Sequence, residues 1–273
     1  MAFGRCKLTL SSGTFVDSHI IPQAFTRPDP GVHFIEGGEG RRLIRRPSSW
    51  YDPKLVTRKG ENILSDLDDY AIKSLRDNFI VWSGWDDAAA IPLDSDDLFN
   101  GYGIRRISGV DTSKLRLFFL SLMWRAAASN RSEFAKVVLD SDDLERLRTM
   151  IVGGYPEPRD FLPVHLIQHS TIGPRHNLGP LKGSELSDAP DAEAPGILAK
   201  AYRFYFDGLV AYVCPGLTVE EYLEAKNLFV GEHDHMLVSC VPFQNSWQEN
   251  NLKKHIVEAQ SDWPDIYNKL VRG

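Results

Sequence analysis

The chain has 273 residues, 42% of them hydrophobic and 25% charged, which is an ordinary composition for a soluble globular protein that needs no disulfide or metal to support its core. No apolar run reaches the ~18 residues of a membrane-spanning helix, and residues 1–9 lack the apolar core of a signal peptide. We therefore expect a cytoplasmic protein without membrane contact. Three widely spaced cysteines favour a reducing compartment, in which they are small buried side chains: Cys6, Cys214 and Cys240.

The net charge of −6 argues against nucleic-acid binding by the whole surface, but the charge is unevenly distributed. Residues 1–60 contain ten basic and five acidic residues, a net charge of +5, whereas the remaining 213 contain 21 and 32, a net charge of −11. A basic amino-terminal region beside an acidic body indicates a local anion site, and a phosphate backbone is the commonest such partner. Alternatively, the basic region docks onto the protein's own acidic part.

The first elements are short β segments. Residues 7–22 predict two of them around the turn Ser11-Ser12-Gly13, with Pro22 ending the second. A Gly- and Pro-rich loop follows and leads into a strand-like basic segment with arginines on either side of an apolar pair: Arg41, Arg42, Arg45 and Arg46. Because these arginines can point to both faces, some of them remain exposed.

The rest of the chain predicts helices and antiparallel strands. Helical spacing covers residues 61–79, 112–128, 132–138, 141–151, a short stretch from Val219, and 247–259. Strands are predicted at residues 161–167, 202–214 and 236–241, with a hairpin turn at Asp207-Gly208 and a long loop over 173–196. The expected fold class is α+β. We divide the chain near residue 80 into a small amino-terminal module, 1–80, and a larger body, 81–273, which can share one core.

One family resemblance rests on the amino-terminal segment. Cys6, the run Val16-Asp17-Ser18-His19-Ile20-Ile21-Pro22 and the stretch from Trp50 to Glu61 resemble the layout of HNH, or ββα-metal, endonucleases, and in particular a bacterial group with a long α+β extension. The likeness covers about residues 6–70, and more loosely the helix near Trp124 and the strands near Tyr202. It implies a ββα-metal-like module packed on the helical and antiparallel-strand body.

The zinc ligands of the HNH pattern are replaced in this sequence. The family has two Cys-x2-Cys pairs, whereas here Cys6 is followed by Thr9, and the second pair is replaced by Thr57 and Gly60. One thiolate cannot supply the four ligands of a tetrahedral zinc site, so we expect no structural zinc. The module is then expected to be held by packing against the body through apolar side chains: Phe15, Ile20, Ile21, Leu55 and Ile63.

The resemblance implies a role for each matching position. His19 matches the general base that activates water, and Asp52 falls where the family has an Asn or His that orients the base or the helix. Glu61 matches a metal-binding histidine, and a carboxylate there suits Mg²⁺ or Mn²⁺. Ser18 replaces the other metal ligand, whereas the adjacent Asp17, a further candidate ligand, would point to the opposite face of a strand.

Two functional hypotheses follow. The first is a metal-dependent HNH-type endonuclease that hydrolyses DNA phosphodiesters, an activity that the resemblance associates with phage defence. Its phosphate contacts would be the arginines from Arg41 to Arg46, together with Arg58 and Lys59. The second is a non-catalytic HNH-derived binding or regulatory protein that contacts nucleic acid, or a protein partner through its acidic body.

A separate set of histidines lies in the body. His165 and His169 have the spacing of one strand face, as do His233 and His235, and with His176 they are a candidate metal site. The alternative is that these side chains are independent of one another. Trp82, Trp85, Trp124 and the aromatic residues at 202–206 are predicted to pack the core and the hairpin.

Overall fold

The structure is a computed structural model that describes residues 2–26, 34–38, 41–46, 50–86, 88–91, 98–182, 198, 200–265 and 267–268. The side chains of residues 34–38, 41–46 and 259 lie outside this description. Six helices are described: α1 (Gln23–Thr26), α2 (Arg58–Asp77), α3 (Thr112–Ala128), α4 (Ser141–Gly153), α5 (Val219–Ala225) and α6 (Trp247–Asp262). None of the six combines the length with the apolar character that a membrane span requires.

The strands of the described residues form one large sheet and three two-stranded sheets, which confirms the α+β class. The two-stranded sheets, which pair β1 with β2, β3 with β6 and β4 with β5, are made of β1 (Phe3–Arg5), β2 (Ser12–Thr14), β3 (Ser18–His19), β4 (Phe34–Gly38), β5 (Arg41–Arg46) and β6 (Tyr51–Asp52). The sheet strands are β7 (Leu98–Phe99), β8 (Tyr102–Ile107), β9 (Val164–His169), β10 (Leu181–Lys182), β11 (Tyr202–Phe206), β12 (Leu209–Val213) and β13 (Met236–Val241).

The large sheet has the order β10-β11-β12-β9-β13-β8-β7, and all its pairs are antiparallel except β13 with β9. The β11–β12 hairpin turns at Asp207 and Gly208, with φ of 49° and 79°. Two positive φ values are what a tight type I′ turn requires, and an Asp-Gly pair adopts them readily. The predicted hairpin is therefore confirmed.

Helix α3 is central to the core. Its side chains are buried on almost every side, as expected of a helix whose sequence is hydrophobic most of the way round. It packs against β9 and β12 of the sheet on one side and against α2 and α4 on the other. The Asp111 side chain accepts a hydrogen bond from the Lys114 N–H at 2.9 Å and caps the first turn. Both predicted ends of this helix are confirmed.

The amino-terminal segment shares this core with the body. Buried side chains from Cys6 to Val81 belong to the same apolar cluster as α3 and the sheet. The predicted packing residues Ile20, Ile21 and Leu55 are in the cluster and Ile63 packs against it, whereas Phe15 is only partly buried and lies over Gly4. The division near residue 80 stays a prediction, but its two parts are packed together.

Arginines of the body also hold the amino-terminal main chain. Arg148 of α4 donates to the Leu8 carbonyl at 2.7 Å, and Arg131 donates to the Tyr51 carbonyl at 2.9 Å. Arg125 of α3, which is 1% exposed, donates to the His19 carbonyl at 3.2 Å and to both carboxylate oxygens of Asp68 on α2, at 2.5 and 3.0 Å. One buried guanidinium thus joins β3, α2 and α3.

Several predicted boundaries are wrong. Ser12 and Gly13 belong to β2, and the first turn lies at residues 7–9. The helical pattern at 132–138 gives one 3-10 turn, Ser132–Phe134, and the strand at 161–167 begins three residues later. These differences lie at the ends of elements, where local hydrogen bonds and packing, rather than the spacing of apolar residues, determine the boundary. Part of the loop predicted over 173–196 lies outside the described residues.

We expect Asp68→Ala to lower the free energy of unfolding by about 3 kcal/mol, because it leaves the buried Arg125 guanidinium without its carboxylate. Asp77→Ala on the same helix is the matched control, since it removes only the exposed partner of Lys73 and should cost under about 0.5 kcal/mol. Urea unfolding at pH 7 measures both. Similar losses in the two variants would contradict the role given to Arg125.

Candidate functional site

A depression of about 410 Å³ lies at the junction of the amino-terminal strands and α2. Two carboxylates and two cations line it: Asp17, Glu61, Lys54 and Arg58. The remaining lining residues are Ala2, Phe15, Val16 and Pro53. We call it the amino-terminal depression. The structure thus brings together the two predicted metal ligands, which are far apart in the chain.

Main-chain hydrogen bonds place the two carboxylates. The Val16 N–H donates to the Val56 carbonyl at 3.2 Å, which holds Asp17 beside the start of α2. The Glu61 N–H donates to the Thr57 carbonyl at 2.9 Å, so Glu61 lies in the first helical turn, where a negative charge is favourable. Asp17 is exposed, whereas Oε2 of Glu61 is buried and has no hydrogen-bond partner in the described part of the chain.

His19 is half-buried on β3, next to the depression rather than in its lining. Its carbonyl is fixed by Arg125, and its ring lies 6.0 Å from that of Tyr51. Neither ring nitrogen is hydrogen-bonded to any described residue. Burial and the Arg125 charge lower the pKa of His19 below its ordinary value, and Asp17 and Asp68 act in the opposite direction. The imidazole is therefore neutral at pH 7.

Asp52 does not face His19. It pairs with Ser18 across β3 and β6, whereas His19 pairs with Tyr51. Because successive residues of a strand point to opposite faces, Asp52 and His19 lie on opposite faces of this pair. Asp52 therefore cannot orient the histidine ring directly, and Ser18, on the same face as Asp52, is buried with a hydroxyl that has no partner among the described residues.

The Asp52 carboxylate has a structural role. It is buried and accepts hydrogen bonds from the Lys54 N–H and the Ser129 hydroxyl, at 2.8 Å each. It also accepts one from the Asn130 N–H at 3.3 Å. The contacts with Ser129 and Asn130 connect β6 to the end of α3, and the Lys54 contact closes the turn after β6.

The four positions of the family's zinc ligands lie close together. The Thr9 N–H donates to the Cys6 sulfur at 3.3 Å, and a Cβ at Gly60 would lie only 2.7 Å from that sulfur. Although burial acts against it, hydrogen bonds from Thr9 and Thr57 lower the pKa of the Cys6 thiol. One thiol and two hydroxyls are not a zinc ligand set, and the sulfur packs directly on the helix at Gly60.

The predicted phosphate contacts are only partly described. Arg58 and Lys59 are exposed in the first turn of α2, and Arg58 lines the depression. The predicted basic segment forms strand β5. It pairs with β4, a strand in the stretch that the sequence predicts to be a loop. Sequence reasoning misses Lys54 as a site residue, because only the fold brings it to the depression. The side chains of four predicted contacts lie outside the described residues: Arg41, Arg42, Arg45 and Arg46.

The body histidines do not meet in one place. His165 is buried beside the Leu228 carbonyl, and the rings of His233 and His235 stack 5.1 Å apart in a separate turn. Among the described residues, no group of three or more His, Cys, Asp or Glu side chains has the spacing of a metal site. All three cysteines are buried and unpaired, as expected.

The residues of the depression fit a hard divalent cation. Mg²⁺ keeps several waters and is commonly held by one or two carboxylates, and Asp17 and Glu61 supply two. The unpaired, buried oxygen of Glu61 is the observation that favours such a ligand, because a buried carboxylate oxygen without a partner is costly.

Comparison of the chain with protein-family models, with curated proteins and with solved structures gave no match in any of the three.

We expect Asp52→Ala to destabilise the fold by about 2 kcal/mol, because it leaves the Ser129 hydroxyl and two main-chain N–H groups without their acceptor. Urea unfolding measures the loss. Asp66→Ala, which changes an exposed carboxylate on α2, is the control and should cost under about 0.5 kcal/mol. An unchanged stability of the Asp52 variant would show that these hydrogen bonds do not support the fold.

Proposed function

We propose that the protein is a cytoplasmic, metal-dependent endonuclease of HNH type that hydrolyses phosphodiester bonds of DNA. The observation that carries the proposal is the amino-terminal depression, in which Asp17 and Glu61 lie with Lys54 and Arg58, beside the neutral His19. Carboxylates suited to a divalent cation, next to cations suited to phosphate, are the two requirements of a metal-dependent nuclease.

The HNH resemblance agrees with two features of the fold. Strand β3 with His19, strand β6 with Asp52 and helix α2 with Glu61 come in the chain order of the ββα pattern, although α1, β4 and β5 lie between β3 and β6. The positions that the pattern assigns to zinc, which are 6, 9, 57 and 60, also lie around one sulfur atom. Two-residue strands and a replaced zinc ligand set make this a reduced version of the pattern.

Asp17 and Glu61 would hold the Mg²⁺ or Mn²⁺ ion, which supplies charge stabilisation at phosphorus when bound. His19 would act as the general base, because its neutral ring can accept a proton at cytoplasmic pH. Lys54 and Arg58 would bind the phosphates on each side of the scissile bond. Two further residues would position the site without contacting the metal or the DNA. Arg125 fixes the main chain of His19, and Asp52 orients β6.

The second candidate is a non-catalytic, HNH-derived protein that binds nucleic acid or a protein partner. It is favoured by Ser18, which is buried at the position of a family metal ligand, and by the place of His19 beside the depression rather than in its lining. In this case Lys54, Arg58 and Lys59 would bind phosphates without a metal, and the acidic body would contact the partner. A role in phage defence belongs to the first candidate by resemblance alone.

We expect the wild type to nick supercoiled plasmid in Mg²⁺ or Mn²⁺, and His19→Ala and Glu61→Gln each to reduce the initial rate at least ~100-fold, as expected for a general base and a metal ligand. Because the pKa of His19 is lowered, its imidazole is already in the neutral form that can act as a base at pH 7. The rate should therefore level off by about pH 7 and fall only on acidification. Gel electrophoresis between pH 5 and 9 measures the rates.

The matched control is Asp66→Asn, which neutralises an exposed carboxylate on the same helix that does not line the depression. Its rate should equal that of the wild type. Cutting by His19→Ala at the wild-type rate would refute the base assignment. If nothing cuts but DNA binding weakens steeply with salt and needs no metal, the second candidate replaces the first.

A further inference from the structure

One side of the amino-terminal depression is apolar. Half of its eight lining residues have no polar side-chain atom: Ala2, Phe15, Val16 and Pro53. The Phe15 ring lies directly over Gly4, where a Cβ would overlap it, so the glycine leaves room for the ring. A metal ion and a phosphate are bound by the charged lining residues. The apolar side is therefore free to contact another part of the substrate.

An aromatic ring lies on the surface beside His19. Tyr51 pairs with His19 across β6 and β3, so the two side chains are on the same face, and their ring centres are 6.0 Å apart. The other face of this pair, with Ser18 and Asp52, is buried. Tyr51 is 36% exposed and presents its ring to solvent next to the proposed general base.

Tyr51 and His19 are connected to the depression through the chain. Pro53, in the lining, lies two residues after Tyr51, and Asp17, also in the lining, lies two residues before His19. The charge of Asp17 acts to raise the pKa of His19, as expected of a carboxylate close to the ring. The Tyr51 ring, the proposed base and a proposed metal ligand thus belong to one surface.

Exposed cations complete this surface. Lys54 and Arg58 line the depression, and Lys59 is exposed beside Arg58 in the first turn of α2. Proteins that bind a single nucleic-acid strand combine these same groups, because cations bind the backbone phosphates while aromatic and apolar side chains pack against the faces of the bases.

A double helix matches this surface less well. Its bases are stacked on one another, so a protein reaches only their edges in the grooves. The depression, of about 410 Å³, falls in the range of roughly 300–1,000 Å³ that holds one small ligand, so it has room for a nucleotide and not for a duplex. Because Oε2 of Glu61 is buried, a phosphodiester approaches it only by entering this space.

We propose that the amino-terminal depression binds DNA in single-stranded form, with an unpaired base packed against Tyr51 and the apolar lining. This inference rests on the proposed nuclease function and names the substrate class of the same site. A supercoiled plasmid is still a substrate, because negative supercoiling favours local strand separation.

The test is fluorescence anisotropy of the full chain with a labelled oligonucleotide of about 20 nucleotides, which exceeds the length of a typical single-strand site, and with the duplex of the same sequence. EDTA prevents cleavage, and low salt strengthens the phosphate contacts. The wild type should bind the single strand at least ~10-fold more tightly than the duplex. Equal affinities, tighter binding of the duplex, or no binding of either form would overturn the proposal.

Variants of Tyr51 test the stacking contact. Tyr51→Leu should weaken single-strand binding at least ~5-fold and leave duplex binding within about twofold, because it removes only an aromatic face. Tyr51→Phe keeps that face and should bind like the wild type. Equal single-strand binding by Tyr51→Leu and the wild type would contradict the role of the ring.

The matched control is Phe3→Leu. Phe3 is 75% exposed in the same basic region, but it follows Ala2 of the lining, and successive residues of an extended chain point to opposite sides. Its single-strand binding should equal that of the wild type, and an equal loss in both leucine variants would count against the site. The wild-type preference needs no variant, so the test stays decisive if Tyr51→Leu does not fold.

Cleavage of the same two oligonucleotides in Mn²⁺ separates this inference from the nuclease proposal. The single strand should be cut at least ~10-fold faster than the duplex. Cutting of the duplex at an equal or higher rate would keep the nuclease and overturn the single-strand inference. Single-strand binding that depends on Tyr51, without any cutting, would refute the nuclease and support the single-strand site.

Discussion

The buried guanidinium of Arg125 is the interaction on which the candidate site depends. Arg125 is placed by α3, the central helix of the core, and it bonds to Asp68 on α2 and to the carbonyl of His19. Because α2 also carries Glu61, the same ion pair sets the position of the helix and of the histidine strand. A buried guanidinium that makes two hydrogen bonds to one carboxylate can adopt few alternative geometries. The position of α2 relative to β3 is therefore well defined.

This arrangement explains how a short amino-terminal segment without the family's zinc ligand set can be ordered. Three arginines, Arg125, Arg131 and Arg148, donate to main-chain carbonyls of residues 19, 51 and 8, while apolar side chains around Ile20 and Leu55 enter the common core. The segment is therefore held from outside by the body. The body is a structural partner of the depression.

Much of the fold can be predicted from the sequence where a local pattern decides. The ends of α3 follow from the Asp111 cap and a sequence that is apolar most of the way round the helix, and the β11–β12 hairpin follows from Asp207-Gly208. The site is predicted less completely. Asp17 and Glu61 do share a depression, but the alternation of β3 and β6 turns Asp52 away from His19. Lys54 has no local signature, because only tertiary contacts bring it to the depression.

A metal site in the amino-terminal depression, which Asp17 and Glu61 would form and Asp52 would not, is what the nuclease proposal requires above all. Electron paramagnetic resonance of Mn²⁺ titrated into the folded protein measures it without relying on activity, because free and bound Mn²⁺ give different signals. We expect one bound ion in the wild type and in Asp52→Asn, and at least ~10-fold weaker binding in Glu61→Gln, which loses a charged ligand. Equal binding by the wild type and Glu61→Gln, or loss in Asp52→Asn alone, would refute this assignment.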